Sequence, residues 1–279
     1  MSIVIKNLCH TYMNGSIYEK RALDNINIKI KDGEYVGIIG HTGSGKSTLI
    51  QHLNGLIKVQ SGCITINDID INKKNLKEIR KQVGLVFQYP EHQIFEESVK
   101  KDIAFGLIKQ GLENNAIDSR IQETIKLLGI DEEILDKSPF ELSGGQKRKV
   151  AIAGVLCMKP QILILDEPTA GLDPKGRDEI YNAITKYRNE NNSIVILVSH
   201  SMEDIAKYVD RIIVMNKGTV EMDGRISEIY GRCDRLEEIG LSVPQITKFL
   251  RKLKVYNSEI NDNIFTVKDA VNELIKHIE

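Results

Sequence analysis

Apolar residues along this chain fall into two rhythms. The blocks at Tyr35–Ile39, 83–87, 162–165, Ile194–Val198 and 212–215 are almost continuously apolar and only four or five residues long. Such blocks suit strands buried on both faces of a largely parallel sheet. Between them run longer stretches with helical spacing, the first from Lys46 to about Leu53. This alternation is the signature of an α/β fold. Residues 3–8 and 23–30 instead alternate apolar with polar positions, as two strands of an antiparallel β flap would. From 90 to 140 no strong strand occurs and the spacing is helical, as at 117–128, which predicts a helical subdomain inserted between two sheet strands and continuing to about 157. After Gly224 motifs disappear, and 244–253 and 267–278 predict amphipathic helices. The reading is therefore a large domain over 1–224 and a small, mainly helical C-terminal extension over 225–279.

Composition narrows the class only slightly. A net charge of −1, from 38 basic and 39 acidic residues, shows none of the basic surplus expected of a nucleic-acid binder. No apolar stretch approaches the roughly 18–20 residues of a membrane helix. The first residues lack the charged start and apolar block of a signal peptide. A cytosolic chain is expected, with any membrane role passing through a partner. Cys9, Cys63, Cys157 and Cys233 are too scattered for a metal or redox pair and read as reduced structural thiols. His10, His52 and His277 read as structural, and the lysine-rich stretches at 73–81 and 248–254 as solvated faces.

Chemistry enters at residues 40–47, which read G-H-T-G-S-G-K-S between a predicted strand and a predicted helix. Gly40, His41, Thr42, Gly43, Ser44 and Gly45 form a loop whose glycines let backbone N–H groups close around phosphate oxygens. The helix beginning near Lys46 adds its positive end. Lys46 supplies a charge for the outer phosphates of a nucleotide, the Ser47 hydroxyl is a ligand for Mg²⁺, and Thr48 continues the binding segment. The block 162–165 runs straight into Asp166 and Glu167, at the carboxyl edge where α/β sheets bind ligands. Asp166 suits the metal, and Glu167 suits the base that polarises an attacking water.

Residues 142–146 read L-S-G-G-Q, and with the loop at 40–47, L-D-E-P-T at 165–169, A-G-L-D at 170–173 and His200, all in that order, the chain resembles the ABC ATPase family over about residues 3–224. Ser143, Gly144, Gly145 and Gln146 open a predicted helix reaching about Cys157, a second anion site. The resemblance implies a RecA-like sheet core and a head-to-tail pair of chains, in which Ser143–Gln146 and Asp173 of one chain face the nucleotide of the other. It also implies that Tyr12 stacks on adenine, with Tyr18 a rival, that Gln88 reaches Mg²⁺ and the attacking water, and that His200 contacts the γ-phosphate. Glu167, His200 and Gln88 would be the catalytic set; Ser47, Gln88 and Asp166 would hold the metal.

Q-Y-P-E-H-Q-I-F at 88–95, the S-G-G-Q-K-R-K-V-A-I-A-G segment and the tail resemble the ATPases of energy-coupling-factor transporters, which import vitamins or cobalt and nickel. H-S-M-E-D-I-A-K-Y at 200–208 is similar to the second of two paralogous ATPases. That likeness implies a heterodimer at the cytoplasmic face of the membrane, a polytopic transmembrane coupling subunit, and a membrane-embedded substrate-binding subunit. Tyr89, Glu91 and Phe95 are expected to form the coupling surface, with Glu91 gripping an arginine of the membrane partner. Competing readings are a conventional importer ATPase, a non-transport ABC ATPase, and a nucleotide-binding module without turnover. The lack of sustained heptads disfavours the second, and an intact Glu167 and His200 disfavour the third.

Overall fold

A computed structural model describes residues 2–72 and 76–277; Lys73 and Ile278, the ends of two predicted stretches, lie outside them. The chain runs β1 Ser2–Tyr12, β2 Lys20–Lys31, β3 Tyr35–Ile39, α1 Lys46–Leu53, β4 Ser61–Ile66, β5 Ile69–Asp70, α2 Leu76–Gln82 and β6 Val83–Val86. There follow α3 Val99–Gln110, α4 Asn114–Leu128, α5 Gly144–Leu156, β7 Ile162–Asp166, α6 Pro174–Asn191, β8 Ile194–Val198, α7 Met202–Tyr208, β9 Arg211–Asn216 and β10 Thr219–Arg225. The C-terminal helices are α8 Ile226–Tyr230, α9 Cys233–Glu238, α10 Gln245–Lys254 and α11 Val267–Ile275.

Six strands form the central sheet in the order β10-β9-β3-β8-β7-β6. The five from β9 to β6 are parallel, and only β10 is antiparallel. The continuous apolar blocks thus pair as their sequence predicts. Their side chains alternate between two cores: Leu163 and Leu165 of β7 face the helical layer, whereas Ile162 and Ile164 face the opposite side. The second side is covered by α1 and by the antiparallel sheet β2-β1-β4-β5, with Ile3, Ile5, Leu8, Ile28 and Ile64 packed inward. Helices alone cover the first face, whereas α1 and the antiparallel sheet share the second. The flap pairs Ile3 with Ile30 and Ile5 with Ile28 across β1 and β2.

The helical insertion is present as α3, α4 and α5, with three short 3-10 turns at Pro90–Gln93, Glu132–Ile134 and Pro139–Glu141. At the other end of the chain, residue 224 lies within β10, and Ile229, Tyr230, Cys233, Leu236 and Val243 pack into the helical-side core. A separate small cluster of Leu250, Ile260 and Ala270 begins only with α10. Phe265 nonetheless reaches back to pack against Tyr230 of the main core.

Candidate nucleotide-binding and catalytic site

Strand order assembles the site. β3, β8, β7 and β6 are consecutive neighbours, so their carboxyl ends stand roughly 5 Å apart in a row. From those ends project, in turn, the loop before α1, then His200, then Asp166 with Glu167, then Gln88. A cavity of about 360 Å³ opens over them, lined by Tyr12, Lys46, Ser47, Asp166, Glu167 and His200, with Thr42, Gly43, Gly45, Thr48 and Gln88 completing the wall. Of the predicted loop, Gly40, His41 and Ser44 do not line the cavity; the Ser44 amide closes the turn on the His41 carbonyl. A side chain at Gly45 is excluded twice: its φ is +104°, and a Cβ would lie 2.6 Å from the Ala22 carbonyl oxygen.

The electrostatics suit an anion that brings its own cation. Lys46 is buried, and its ammonium donates to the carbonyls of Gly40 (2.7 Å) and His41 (3.1 Å). Burial lowers its pKa, a pull opposed by Asp166 and Glu167. Burial likewise raises the pKa of Asp166, against the opposing influence of Lys46. Glu167 is pushed up to about 7, chiefly by burial, with the His200 amide opposing and Asp166 adding to the rise. Its Oε1 is buried and has no hydrogen-bond partner among the described residues; His200 Nε2 stands 3.8 Å away. Glu167 also sits at φ +49°, a left-handed conformation that costs about 1–3 kcal/mol for a residue of this type. A carboxylate with one unmatched oxygen, on a strained backbone and lining a polar cavity, is suited to receive a ligand. Ser47, Gln88 and Asp166 offer oxygen donors only, the chemistry that Mg²⁺ prefers, so these residues fit that ion.

Tyr12 is 39% exposed, with its hydroxyl 3.2 Å from Thr48 Oγ1 and its ring edge-on to His10 at 4.5 Å. Tyr18, its rival, lies exposed in the β1–β2 loop and outside the cavity. Sequence reading missed Lys20, Ala22 and Val198, which also line it. Lys20 carries no motif; it arrives because it is the cross-strand partner of Tyr12.

The residues expected to form a second anion site lie apart from this cavity. Ser143 caps α5: its hydroxyl accepts from the Gln146 amide (3.3 Å), and the Gln146 side chain accepts in return from the Ser143 amide (3.0 Å). The hydroxyl hydrogen of Ser143 thereby stays available for a ligand. Gly145, Gln146 and Asp173 line a different hollow, and the Asp173 carboxylate caps α6 by accepting from Gly176 (2.8 Å).

Glu91 requires a correction. The sequence suggests a charge offered to a partner's arginine; the structure supplies an arginine from the same chain. Arg148 donates to both Glu91 oxygens, at 3.0 and 2.5 Å, and Glu91 is only 17% exposed. Tyr89 and Phe95 do face solvent, the latter edge-on to the partly exposed Phe105 at 4.9 Å. No helix among the described residues is long and apolar enough to cross a membrane.

Comparison with known proteins agrees with this geometry. Residues 23–170 match the ABC transporter family. The energy-coupling factor transporter ATP-binding protein EcfA2 of Acetivibrio thermocellus is 58% identical, covering 100% of this chain and 99% of its own length. Its namesake from Clostridium tetani is 57% identical, over 99% and 97% respectively. Among solved structures, cbiO1 of Clostridium perfringens, described as part of the ABC transporter complex cbiONQ, superposes with a TM-score of 0.75 at 37% identity, over 85% of this chain and 93% of that one. The ATP-binding cassette MJ0796, solved as a dimer in a post-hydrolysis state with ADP and Pi, gives 0.73 at 31% identity, over 80% and 98%.

Proposed function

This chain belongs to the ABC transporter family and, within it, to the energy-coupling factor transporter ATP-binding proteins, and from that premise we propose that it hydrolyses ATP to drive uptake of a vitamin or a metal ion across the cytoplasmic membrane. The observation that carries the reading is the single cavity holding Lys46, Ser47, Asp166, Glu167, Gln88 and His200 at the ends of four adjacent strands.

Each residue then has a task. Tyr12 stacks on adenine, and amides of the loop before α1 hold the phosphates while Lys46 neutralises the outer ones. Ser47, Gln88 and Asp166 hold Mg²⁺, which when bound compensates the charge of the phosphates. Glu167 accepts the proton of the attacking water, which Gln88 orients, and His200 donates to the γ-phosphate. The partner chain, a paralogous ATPase, closes the site with its own signature helix, as Ser143–Gln146 of this chain closes the partner's. That head-to-tail arrangement is supported by the separation of the two anion sites into different hollows, and by the dimeric state of a similar cassette. The pair works at the cytoplasmic face, coupled to a transmembrane subunit and through it to a membrane-embedded substrate binder. The exposed aromatics Tyr89 and Phe95 form the coupling surface, which grips by packing, since the Glu91 charge is already matched.

Lys46→Ala tests the reading. ATP affinity should fall at least tenfold and phosphate release should cease, because the phosphates lose a largely desolvated charge partner. Unchanged affinity and turnover would remove this cavity from the chemistry.

A further inference from the structure

Arg148, at 4% exposure, is the least exposed Lys, Arg, Asp or Glu side chain among the described residues. Burying a guanidinium is costly unless its donors are matched. Here they are matched from two other segments. Nε and Nη2 donate to the two oxygens of Glu91, and Nη1 donates to the carbonyl of Ala170.

The positions of these partners give the contact its meaning. Arg148 lies in α5, little more than one turn beyond its cap Ser143. Glu91 is in the short 3-10 turn three residues after Gln88. Ala170 stands midway between Glu167 and Asp173, in the loop from β7 to α6. That loop also carries its own turn bonds, Ala170 to Glu167 and Leu172 to Thr169, and is held at its start by Glu167 to Val198 and further on by Thr169 to Tyr181. The first turn of α5 approaches the same loop at Leu172, whose Cδ2 lies 3.7 Å from where a Cβ on Gly145 would be. One planar fork therefore joins the signature helix, the segment after Gln88 and the loop leading to Asp173. A lysine could not bridge all three, because it lacks the fixed fork.

We propose that Arg148 is a positioning residue that locks the anion-binding first turn of α5 to the loop carrying Asp173, so that both present one rigid surface to the nucleotide held by the partner chain. Glu91 anchors that surface to the segment that follows Gln88. The inference rests on the head-to-tail reading above. Displacements of about 1 Å in positioning groups can cost on the order of 100-fold in rate, so loosening this fork should matter although Arg148 touches no substrate.

The test uses the assembled pair of ATPase chains, with Glu167 and its counterpart in the partner replaced by glutamine so that ATP is trapped. Azido-ATP retained after removal of free nucleotide is cross-linked, and the label on each chain is counted. Ser143→Arg in this chain reports the pattern produced by losing the trans surface. Arg148→Met should reproduce that pattern with at least a tenfold loss of trapped label, while ATP affinity of the isolated chain stays within twofold. Arg148→Lys should give a smaller loss of the same pattern. If Ser143→Arg leaves trapping intact, the head-to-tail reading fails. If Ser143→Arg removes label and both Arg148 variants leave it, the positioning role fails. A loss of ATP affinity in the isolated Arg148→Lys chain would also overturn it, by showing that the arginine serves its own chain's site.

Discussion

Replacing Glu167 by glutamine should stabilise the nucleotide-free protein while nearly abolishing turnover, and both effects follow from the same buried oxygen. Its carboxyl is pushed from an ordinary value of 4.5 to about 7. A shift of that size corresponds to about 3 kcal/mol of penalty on the ionised form. Residual exposure of 15% leaves some solvent screening, so about 2 kcal/mol is the working figure. The folded-state pKa is raised, so the folded protein holds a proton that the unfolded chain releases between pH 4.5 and 7. Stability is therefore lost as pH rises through that window. Glutamine fills nearly the same volume and does not titrate. The variant should thus match wild type closely at pH 4 and exceed it by about 2 kcal/mol at pH 8, or roughly 4–8 °C in thermal midpoint for a chain of this length. Thermal melts without nucleotide at the two pH values measure this directly. Turnover should drop about 10²–10⁴-fold, the usual contribution of a general base. In the wild type, kcat/KM should rise with pH through about 7, since that ratio reports the free enzyme. An equal midpoint difference at both pH values, or turnover within tenfold of wild type, would refute the assignment of this carboxylate as a desolvated base.

Two further outcomes test the periphery of the site. Tyr12→Ala should weaken ATP binding by roughly 5- to 150-fold, the range given by about 1–3 kcal/mol of base stacking; Tyr12→Phe, which loses only the Thr48 contact, should stay within about fivefold by fluorescent-nucleotide titration. Truncation after Val243 should keep ATP affinity and weaken ATP-free pairing of the chains on size-exclusion chromatography. Truncation from Ile226 should instead unfold the domain, because it removes the buried Ile229, Tyr230 and Leu236.

What could be read from the sequence was whatever is contiguous in it. The blocks at Tyr35–Ile39 and Ile194–Val198 became strands with those bounds, because five apolar residues can be hidden from water only between two layers. The glycine-rich turn before α1 was legible because its glycines and Lys46 are contiguous in the chain. Long-range neighbours were not legible. Nothing in the order of residues says that β8 inserts between β3 and β7, which is what brings His200 to Glu167. Lys20 reached the cavity only through hairpin pairing with Tyr12.

Glu91 shows the same limit with more consequence. An acidic residue beside two aromatics reads naturally as a docking charge, and nothing in the run Lys147, Arg148, Lys149 marks one of the three as its partner. Helical periodicity separates the three: Lys147 and Lys149 stay partly exposed, while Arg148 turns inward and becomes buried. A buried arginine demands an acid, and Glu91 is within reach because the 3-10 turn after Gln88 packs on α5. Charge reversal at Glu91 would therefore confront a desolvated guanidinium with a second cation, at a cost of about 3–5 kcal/mol or more. A hydrolysis defect in Glu91→Lys would then report a broken internal strut and would say nothing about the membrane partner. The proposed coupling surface is better probed through Tyr89 and Phe95, whose side chains are exposed: Phe95→Ser should leave ATP turnover of the free pair within twofold while reducing assembly with the transmembrane subunit at least tenfold by co-purification. Full assembly with that aromatic removed would place the coupling contact elsewhere.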